Sequence, residues 1–415
     1  MDNNVIKESK NIIWNTLGTA VNVFTSLFFL VIISRYSKIE DVGIFSFAYS
    51  IAAVMLTIGN YGGRIYFITD LKEQYKLKDY LAFKVITCII MLIISIIFIL
   101  LNNYSFYKAI VIFLLCFYRT IEAFYDYLYG IMQKKEELHY VGKSLFIKSI
   151  LGIVAFFIIQ LLFDNMIVTI LSLIIVNIIF VVLYDLKITL KLEKLVIGFD
   201  KTKIVSLFRN CFFIFALSFF SLYIVNIPRY MIDKMLTPDL QSIFGIIIMP
   251  ATTITLFGQF LIQPVIVKFS KLHKENNNKA IIKIIVILVL LVILATIIFE
   301  VFMYILGIPI INFIYGIDIS EYKNDLFILL IGAMLNAIYV IFYTILTTMR
   351  KNLGQFIIYV CNAVISIVIS YIFVKWFGFR GGIYAYVCIM LVQLIGYIIL
   401  MFLVFRNKRD VNIVI

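Results

Sequence analysis

Hydrophobic residues fill long, continuous blocks along the chain, and short polar segments separate them. Each block is roughly 20 residues long, the length of helix that crosses a hydrocarbon core of about 30 Å. The blocks show no alternation of period two, which excludes a transmembrane β-barrel. We predict an all-α, polytopic membrane protein with about twelve spans, at residues 12–34, 43–66, 81–101, 108–129, 144–163, 166–185, 206–227, 240–263, 282–305, 324–346, 354–375 and 382–404.

Lysine and arginine are distributed unevenly between the two sides of these spans. If the N-terminus is cytoplasmic, the inner segments hold 25 of the 36 basic residues and the outer loops hold 8. This count assigns Lys84 to an inner segment. Cytoplasmic loops carry such an excess of positive charge, so we predict that both termini are cytoplasmic.

The two halves of the chain contain a weak repeat. Residues 40–60 align with residues 239–259 at a shift of 199. An even number of spans in each half gives parallel repeats, related by an axis along the membrane normal. We therefore predict three parts: an N-terminal six-helix bundle at 1–185, a cytoplasmic linker at 186–205 and a C-terminal six-helix bundle at 206–415.

The composition restricts the function. With 63% hydrophobic and 14% charged residues, the chain could not cover the surface of a soluble domain. The net charge of +13 would suggest nucleic-acid binding in a soluble protein. Here the basic residues are distributed as membrane orientation requires, so we expect no nucleic-acid partner. The cysteines form no CxxC pair, and His139 and His273 lie in separate polar loops, which argues against a metal site.

Enzyme motifs are also missing from the sequence. It contains no nucleotide-binding, metalloprotease or serine-hydrolase motif. We therefore expect a transporter without a cofactor, driven by a coupling ion such as H⁺ or Na⁺, by the membrane potential or by the substrate gradient.

Polar side chains form stripes on four predicted spans. On the first span the stripe consists of Asn11, Asn15, Thr19, Asn22 and Ser26. On the eighth span it consists of Thr252, Thr255, Gln259 and Gln263. The stripe of the tenth span consists of Asn336, Tyr339 and Tyr343, and that of the eleventh consists of Asn362, Ser366 and Ser370. Spacings of three and four residues place each set on one helix face. Such stripes either join helices by hydrogen bonds or line a water-filled cavity, and their number favours the cavity.

Three charged residues lie close together inside the fourth predicted span. Arg119, Glu122 and Asp126 are spaced i, i+3 and i+7 and share one face. A charge at mid-span costs on the order of 3 kcal/mol on insertion scales. The triplet is either an internal Arg119–Glu122 ion pair that orients the helix, or a cavity wall. In the second case Arg119 meets an anion, and Glu122 or Asp126 carries a proton or a cation.

Three further positions are candidates for special roles. Arg64 follows Asn60 and a glycine-rich segment at the end of the second span, where it either snorkels to the interface or contacts a ligand. We expect Lys148, near a helix end, to snorkel. Pro250 removes a backbone hydrogen bond in the eighth span and should kink it, as a hinge in an alternating-access carrier would.

The N-terminal region resembles that of the Wzx-type bacterial polysaccharide flippases, within the multidrug/oligosaccharidyl-lipid/polysaccharide exporter superfamily. A basic tail precedes the polar-striped first helix, and the short outer loop ends in the sequence EDVGIF at 40–45. The second helix then ends in glycine-rich, basic sequence. The matching loop of the second half has Ser242 where the family often has glycine. Length and topology agree over most of the chain.

The resemblance implies two six-helix bundles of the MATE-like fold around a central cavity, in the bacterial cytoplasmic membrane. It implies that the substrate is an oligosaccharide of O-antigen or capsule type, linked through diphosphate to undecaprenol, which moves from the cytoplasmic to the outer leaflet. Membrane lipid and polysaccharide polymerase or assembly proteins would be its partners. The candidates for a polar, cationic path are Arg64, Arg119, Asn15, Asn22, Asn60 and Gln259.

Two alternatives remain open. A drug/cation antiporter of the multidrug and toxin extrusion family typically binds its coupling ion through an acidic residue in the first or seventh helix. The spans 12–34 and 206–227 contain none. A membrane-embedded polymerase or glycosyltransferase usually carries a large outer loop, whereas the outer segments near 229–239 and 306–323 are short.

Overall fold

The structure is a computed structural model that describes residues 3–70, 73–196, 198–266, 268–269, 272, 275, 277–349 and 351–411. His273 lies outside the described residues. Most of the described chain is helical, as a bilayer requires, because a helix satisfies its backbone hydrogen bonds internally.

The helices of the first half are α1 (Asn3–Tyr36), α2 (Ile39–Asn60), α3 (Gly63–Thr69), α4 (Leu77–Leu101), α5 (Phe106–Lys134), α6 (Leu138–Phe163), α7 (Met166–Phe180), a π-helical turn (Val181–Leu186) and α8 (Lys187–Leu192). The second half contains α9 (Lys201–Met235), α10 (Pro238–Ile262), a 3₁₀ turn (Gln263–Val265), α11 (Asn278–Phe302), a π-helical turn (Met303–Gly307), α12 (Ile308–Tyr315), a 3₁₀ turn (Ser320–Tyr322), α13 (Lys323–Thr348) and α14 (Asn352–Val411).

Within the described residues, ten helices are long and apolar enough to cross a membrane. The last of them lies in α14, whose 60 residues would be about 90 Å long if the helix were straight. It breaks at Gly378, whose φ of 58° suits glycine, and so accounts for the last two predicted spans. The fourth predicted span lies on α5, which is long enough but more polar. The chain is an all-α, polytopic membrane protein.

Two compact units divide the chain, Met1–Phe219 and Phe220–Ile415. The boundary between them falls within α9. The predicted linker at 186–205 is helical as far as Leu192 and again from Lys201. The proposed six-plus-six division and the central cavity stay predictions.

Helix boundaries follow the register of the predicted repeat. α1 ends at Tyr36 and α9 ends at Met235, while α2 begins at Ile39 and α10 begins at Pro238. Both pairs of positions are separated by the 199 residues of the sequence alignment. The first helix of each half therefore ends, and the second begins, at corresponding places.

Close helix contacts in the first unit occur at glycines. A Cβ atom built on Gly18 of α1 would overlap the backbone of Gly142 on α6, and one built on Gly142 would overlap the backbone of Trp14. Small residues let membrane helices approach in this way. The contact fixes α1 against α6.

Glycine also allows close packing in the second unit. A Cβ built on Gly258 of α10 would lie 2.8 Å from the Cβ of Ala337 on α13. Pro250 lies inside α10, and the helix continues on both sides of it. Its role as a hinge stays a prediction.

Candidate functional site

A stripe of polar and charged residues runs along one face of α5. Its members recur every three or four residues and therefore share that face. We call them the α5 stripe: Arg119, Glu122, Asp126, Tyr129 and Gln133. The first three form the triplet predicted from the sequence. Tyr129 and Gln133 are not among the predicted site residues, although they continue the same spacing.

Arg119 and Glu122 form the predicted ion pair within α5. The Nη1 atom of Arg119 donates a hydrogen bond to Oε2 of Glu122, and both side chains are largely buried. The Arg119 guanidinium also lies over the Tyr49 ring, with Cζ 4.6 Å from the ring centroid. Its Nε atom is buried and has no hydrogen-bond partner among the described residues. A ligand acceptor could therefore find a donor here.

Arg64 binds the opposite end of the α5 stripe from another helix. Its Nη1 donates to Oδ1 of Asp126 at 2.8 Å, and its Nη2 donates to Oε1 of Gln133 at 2.7 Å. Asp126 thus pairs with Arg64, while Glu122 pairs with Arg119. The two predicted arginines lie along one surface, and each has its own carboxylate.

A break between α2 and α3 directs Arg64 towards α5. Tyr61 and Gly62 both adopt left-handed backbone conformations, with φ of 44° and 66°. The absence of a side chain at Gly130 on α5 leaves room for the Arg64 side chain, because a Cβ built on Gly130 would lie 3.3 Å from Cγ of Arg64. Asn60 is the last residue of α2, and its side-chain Oδ1 is buried without a partner among the described residues.

Lys84 stabilises the end of α2 from α4. Its Nζ donates to the carbonyl oxygens of Gly59 at 2.9 Å and Asn60 at 3.3 Å. The assignment of Lys84 to an inner segment is wrong, because the residue lies inside α4 and is only 1% exposed. Hydropathy could not reveal this, since a basic residue near a span end usually reaches the interface.

A second buried network joins α5, α6 and the π-helical turn after α7. Lys148 does not snorkel, because its Nζ donates to the Tyr129 hydroxyl at 2.8 Å and to Oδ2 of Asp185 at 3.2 Å. Ser144 donates to the other carboxylate oxygen of Asp185 at 2.6 Å. The side chains of Lys148 and Asp185 are 5% and 0% exposed. Asp185 is not among the predicted residues, although an acidic residue that ends an apolar run is a usable signal.

The polar stripe of α1 partly joins helices. Asn11 donates to the carbonyl of Glu136 at 2.9 Å and accepts from the backbone of His139 at 2.8 Å. Asn22 accepts a hydrogen bond from Ser149 on α6 at 3.3 Å. Asn15, between them, is half-buried. The hydrogen-bonding interpretation therefore holds for Asn11 and Asn22.

A small polar cavity lies beside this stripe in the first unit. Its volume is about 10 Å³, which is room for roughly one water molecule. Asn22, Lys148, Ser149 and Asn177 contribute to its lining. The cavity extends the polar interior from the α5 stripe towards α1.

The stripe of α10 is more open. Thr252, Gln259 and Gln263 are exposed, and Thr255 is half-buried. An exposed amide at membrane depth is costly against lipid and typically faces water or protein. The cavity interpretation therefore suits this stripe better than it suits the stripe of α1.

The chain matches known structures over almost its whole length. A multidrug resistance MATE family transporter of the MOP superfamily, in an inward-facing conformation, is similar with a TM-score of 0.71, covering 97% of this chain and 98% of that chain. The chain has the fold of the MATE transporters. At 13% sequence identity the likeness concerns the fold alone.

The MATE fold also occurs in a second structure of different named function. The lipid II flippase MurJ, in an inward closed conformation, matches with a TM-score of 0.69 and 15% identity, covering 96% of this chain and 87% of that chain. No family model matches the sequence. The capsular polysaccharide biosynthesis protein CapF of Staphylococcus aureus is 23% identical over 330 residues, which are 78% of this chain and 82% of that protein.

In this MATE fold, the second unit contains a buried tyrosine cluster. The hydroxyl of Tyr339 is hydrogen-bonded to Tyr359 and lies 3.2 Å from Ser221. The ring of Tyr339 packs against those of Tyr397 and Tyr343, with distances of 5.1 Å and 6.3 Å between ring centroids. The hydroxyl groups of Tyr339 and Tyr359 satisfy each other, and that of Tyr397 donates to Oε1 of Gln355 at 3.3 Å. The cluster therefore stabilises the helix packing of this unit.

Metal binding finds no support in the described part of the chain, where no group of three His, Cys, Asp or Glu side chains could hold an ion. The side chains of the site present guanidinium, ammonium, carboxylate and amide groups.

Proposed function

We propose that the protein is a flippase that moves an undecaprenyl-diphosphate-linked oligosaccharide from the cytoplasmic to the outer leaflet of the bacterial cytoplasmic membrane. The observation that carries the proposal is that the α5 stripe contains Arg119 and binds Arg64 through Asp126 and Gln133, so that both arginines lie along one surface. The fold shared with a lipid II flippase and the similarity to a capsular polysaccharide biosynthesis protein support it.

Guanidinium groups suit the diphosphate of such a substrate. Arginine presents a planar fork of donors that binds phosphate oxygens through two parallel hydrogen bonds. Arg64 uses two of its nitrogens on Asp126 and Gln133, and its side chain is 25% exposed. A diphosphate that displaced these acceptors would keep the charge of Arg64 balanced.

The carboxylates give the same site a means of coupling to an ion. When the substrate takes over the arginines, Glu122 and Asp126 lose their partners. A carboxylate left without a partner at membrane depth is costly, so each would take up H⁺ or Na⁺. Ion uptake and substrate binding would therefore favour each other during alternating access.

Amide side chains would contact the hydrated sugar. Both hydrogen-bond donors and acceptors are offered by the amides of Asn15 and Asn22 on α1, Asn60 at the end of α2, and Gln259 on α10.

The proposed function also sets the topology and the partners of the protein. Both termini would be cytoplasmic, and polymerase or assembly proteins would be its partners in the membrane. The lipid chain of the substrate would stay in the bilayer, so the protein would need no enclosed apolar pocket for it.

The second candidate is an ion-coupled drug/cation antiporter, which the similarity to a multidrug resistance transporter favours. An organic cation would need the carboxylates of the stripe, whereas an anionic lipid would need the arginines. Substitution of one or the other charge therefore separates the two functions.

Reconstitution tests the proposal directly. Purified protein in proteoliposomes should move a fluorescent undecaprenyl-diphosphate saccharide between leaflets, measured by loss of accessibility to an added quencher. Arg119→Ala should slow flipping about tenfold or more, because a hydrogen bond to a charged group contributes about 1.5–3 kcal/mol. The matched control is Arg209→Ala, since Arg209 is exposed on α9.

Normal surface polysaccharide in a strain that lacks the gene would contradict the proposed function. Full flipping by the Arg119→Ala protein at wild-type expression would leave the flippase function standing and would remove Arg119 from the path. Transport of an organic cation such as ethidium, abolished by Glu122→Gln and untouched by Arg119→Ala, would establish the antiporter instead.

A further inference from the structure

The second transmembrane helix is broken, and its carbonyl end lies inside the protein. α2 ends at Asn60, and Tyr61 and Gly62 turn the chain before α3 begins at Gly63. The last carbonyl groups of a helix have no intrahelical donor. They carry the negative end of the helix dipole, equivalent to about half an elementary charge. In transporters, such interrupted helix ends commonly coordinate Na⁺ or a proton.

An ammonium group occupies this position in the structure. Nζ of Lys84 lies 2.9 Å from the carbonyl oxygen of Gly59 and 3.3 Å from that of Asn60. The residue is 1% exposed, and the described residues place no carboxylate within ion-pair distance of it. The carbonyl end of α2 is therefore the direct hydrogen-bonding partner of the Lys84 ammonium group, while the carboxylate of Asp126 acts on its charge from beyond ion-pair distance.

Hydrogen bonding alone does not explain a lysine at this place. The hydroxyl of Thr87 already donates to the carbonyl oxygen of Gly59 at 2.8 Å. A neutral donor could hydrogen-bond to the carbonyl oxygen of Asn60 in the same way, without the cost of burying a charge. What Lys84 adds is a full positive charge at the negative end of the helix.

We propose that Lys84 is a tethered cation. Its ammonium group fills a cation site that the broken end of α2 would otherwise present, and it holds the break in the geometry that directs Arg64 to Asp126. Lys84 is thus a positioning residue, which contacts no substrate itself. When the Lys84 side chain is truncated, the site is empty and should accept a small primary alkylammonium ion.

The test removes the tether and supplies the cation separately. Lys84→Ala deletes three methylene groups and the ammonium group, which propylammonium replaces. Purified Lys84→Ala protein should melt at a lower temperature than wild type, and propylammonium should raise that temperature in a saturable manner, as a ligand of the folded state does. Wild type should not respond, because its site is filled.

Three controls decide the interpretation. Tetramethylammonium has the charge without N–H donors and should not rescue, and 1-propanol has the length without the charge and should not rescue either. Rescue by 1-propanol equal to that by propylammonium would overturn the proposal. Lys84→Met keeps the aliphatic length, leaves no room for an added amine and should stay destabilised in its presence.

Lys84→Met also decides the matter if Lys84→Ala does not fold. A melting temperature equal to that of wild type would show that the charge is dispensable and would overturn the proposal. A clear decrease supports it.

The positioning of Arg64 is tested by transport, and this arm alone rests on the proposed function. Flipping by Lys84→Ala should be lost and should return with propylammonium, while Lys84→Met stays inactive. Restored melting without restored flipping would overturn the positioning role. Absence of flipping by wild-type protein would reject the proposed function, while the melting experiments would still decide the cation site.

Discussion

Arg64 on α3 donates a 2.8 Å hydrogen bond to Asp126 on α5, although 62 residues separate them along the chain. The sequence places Arg64 and Asp126 in different roles, as a substrate ligand and an ion carrier. In the structure they neutralise each other. A change in the charge of one therefore changes the availability of the other, which is the physical requirement for coupling.

A double-mutant cycle measures this relationship. Arg64→Ala and Asp126→Ala should each lower the melting temperature, because each leaves a charge without its partner. The double variant should be more stable than additivity predicts, with an interaction energy of about 0.5–3 kcal/mol. Strict additivity of the two changes would mean that the pair does not form in the membrane.

The buried pair of Lys148 and Asp185 should matter more for stability. Lys148→Ala leaves a carboxylate that is 0% exposed without its cation, at a cost of about 3–5 kcal/mol. Lys148→Met combined with Asp185→Leu should recover much of the loss, because no unpaired charge remains. Thermal unfolding in detergent measures both changes.

The matched control for this pair is Lys187→Ala, since Lys187 is exposed two residues after Asp185. It should leave the melting temperature unchanged. Equal effects of Lys148→Ala and Lys187→Ala would contradict the buried pair.

The contact between α1 and α6 should not tolerate a methyl group. In Gly142→Ala the new Cβ would overlap the backbone of Trp14, and backbone atoms cannot move aside as a side chain can. We expect a large decrease in melting temperature and in the yield of folded protein. Gly354→Ala is the control, because its Cβ would meet the side chain of Leu400. A Gly142→Ala protein as stable as Gly354→Ala would show that the helices are farther apart.

The predicted orientation is tested by labelling single cysteines. In a background without the five native cysteines, Glu321→Cys should react with a membrane-impermeant maleimide added to whole cells. Lys194→Cys should react only after permeabilisation. Both positions are exposed, so the barrier to reaction is the membrane. The reverse pattern would place the termini outside.

Much of the fold is predictable from local sequence. The apolar blocks correspond to helices, and the repeat shift of 199 recurs in the boundaries of α1, α2, α9 and α10. The Arg119–Glu122 ion pair, one of the two alternatives for the triplet, can be foreseen because both residues lie within one helix, and the structure contains it. The α5 stripe extends beyond the predicted triplet to Gln133, and its spacing alone could have indicated this.

The pairing of charges between helices is not predictable in the same way. Position near a span end suggests that Lys148 reaches the interface and that Lys84 belongs to an inner segment, yet both are buried. Hydropathy reports the cost of placing a charge in the membrane. It does not report whether a carboxylate or a broken helix end lies opposite.

The amino-acid sequence by itself determined the class of this protein, because the requirement for roughly 20 apolar residues in each crossing is a property of local sequence. It also determined which face of α5 is charged, because helical periodicity is local. Only the tertiary structure decided that Asp126 pairs with Arg64, that Asp185 pairs with Lys148 and that Lys84 meets the end of α2. These partners come from different helices, and their approach depends on packing that no single helix encodes.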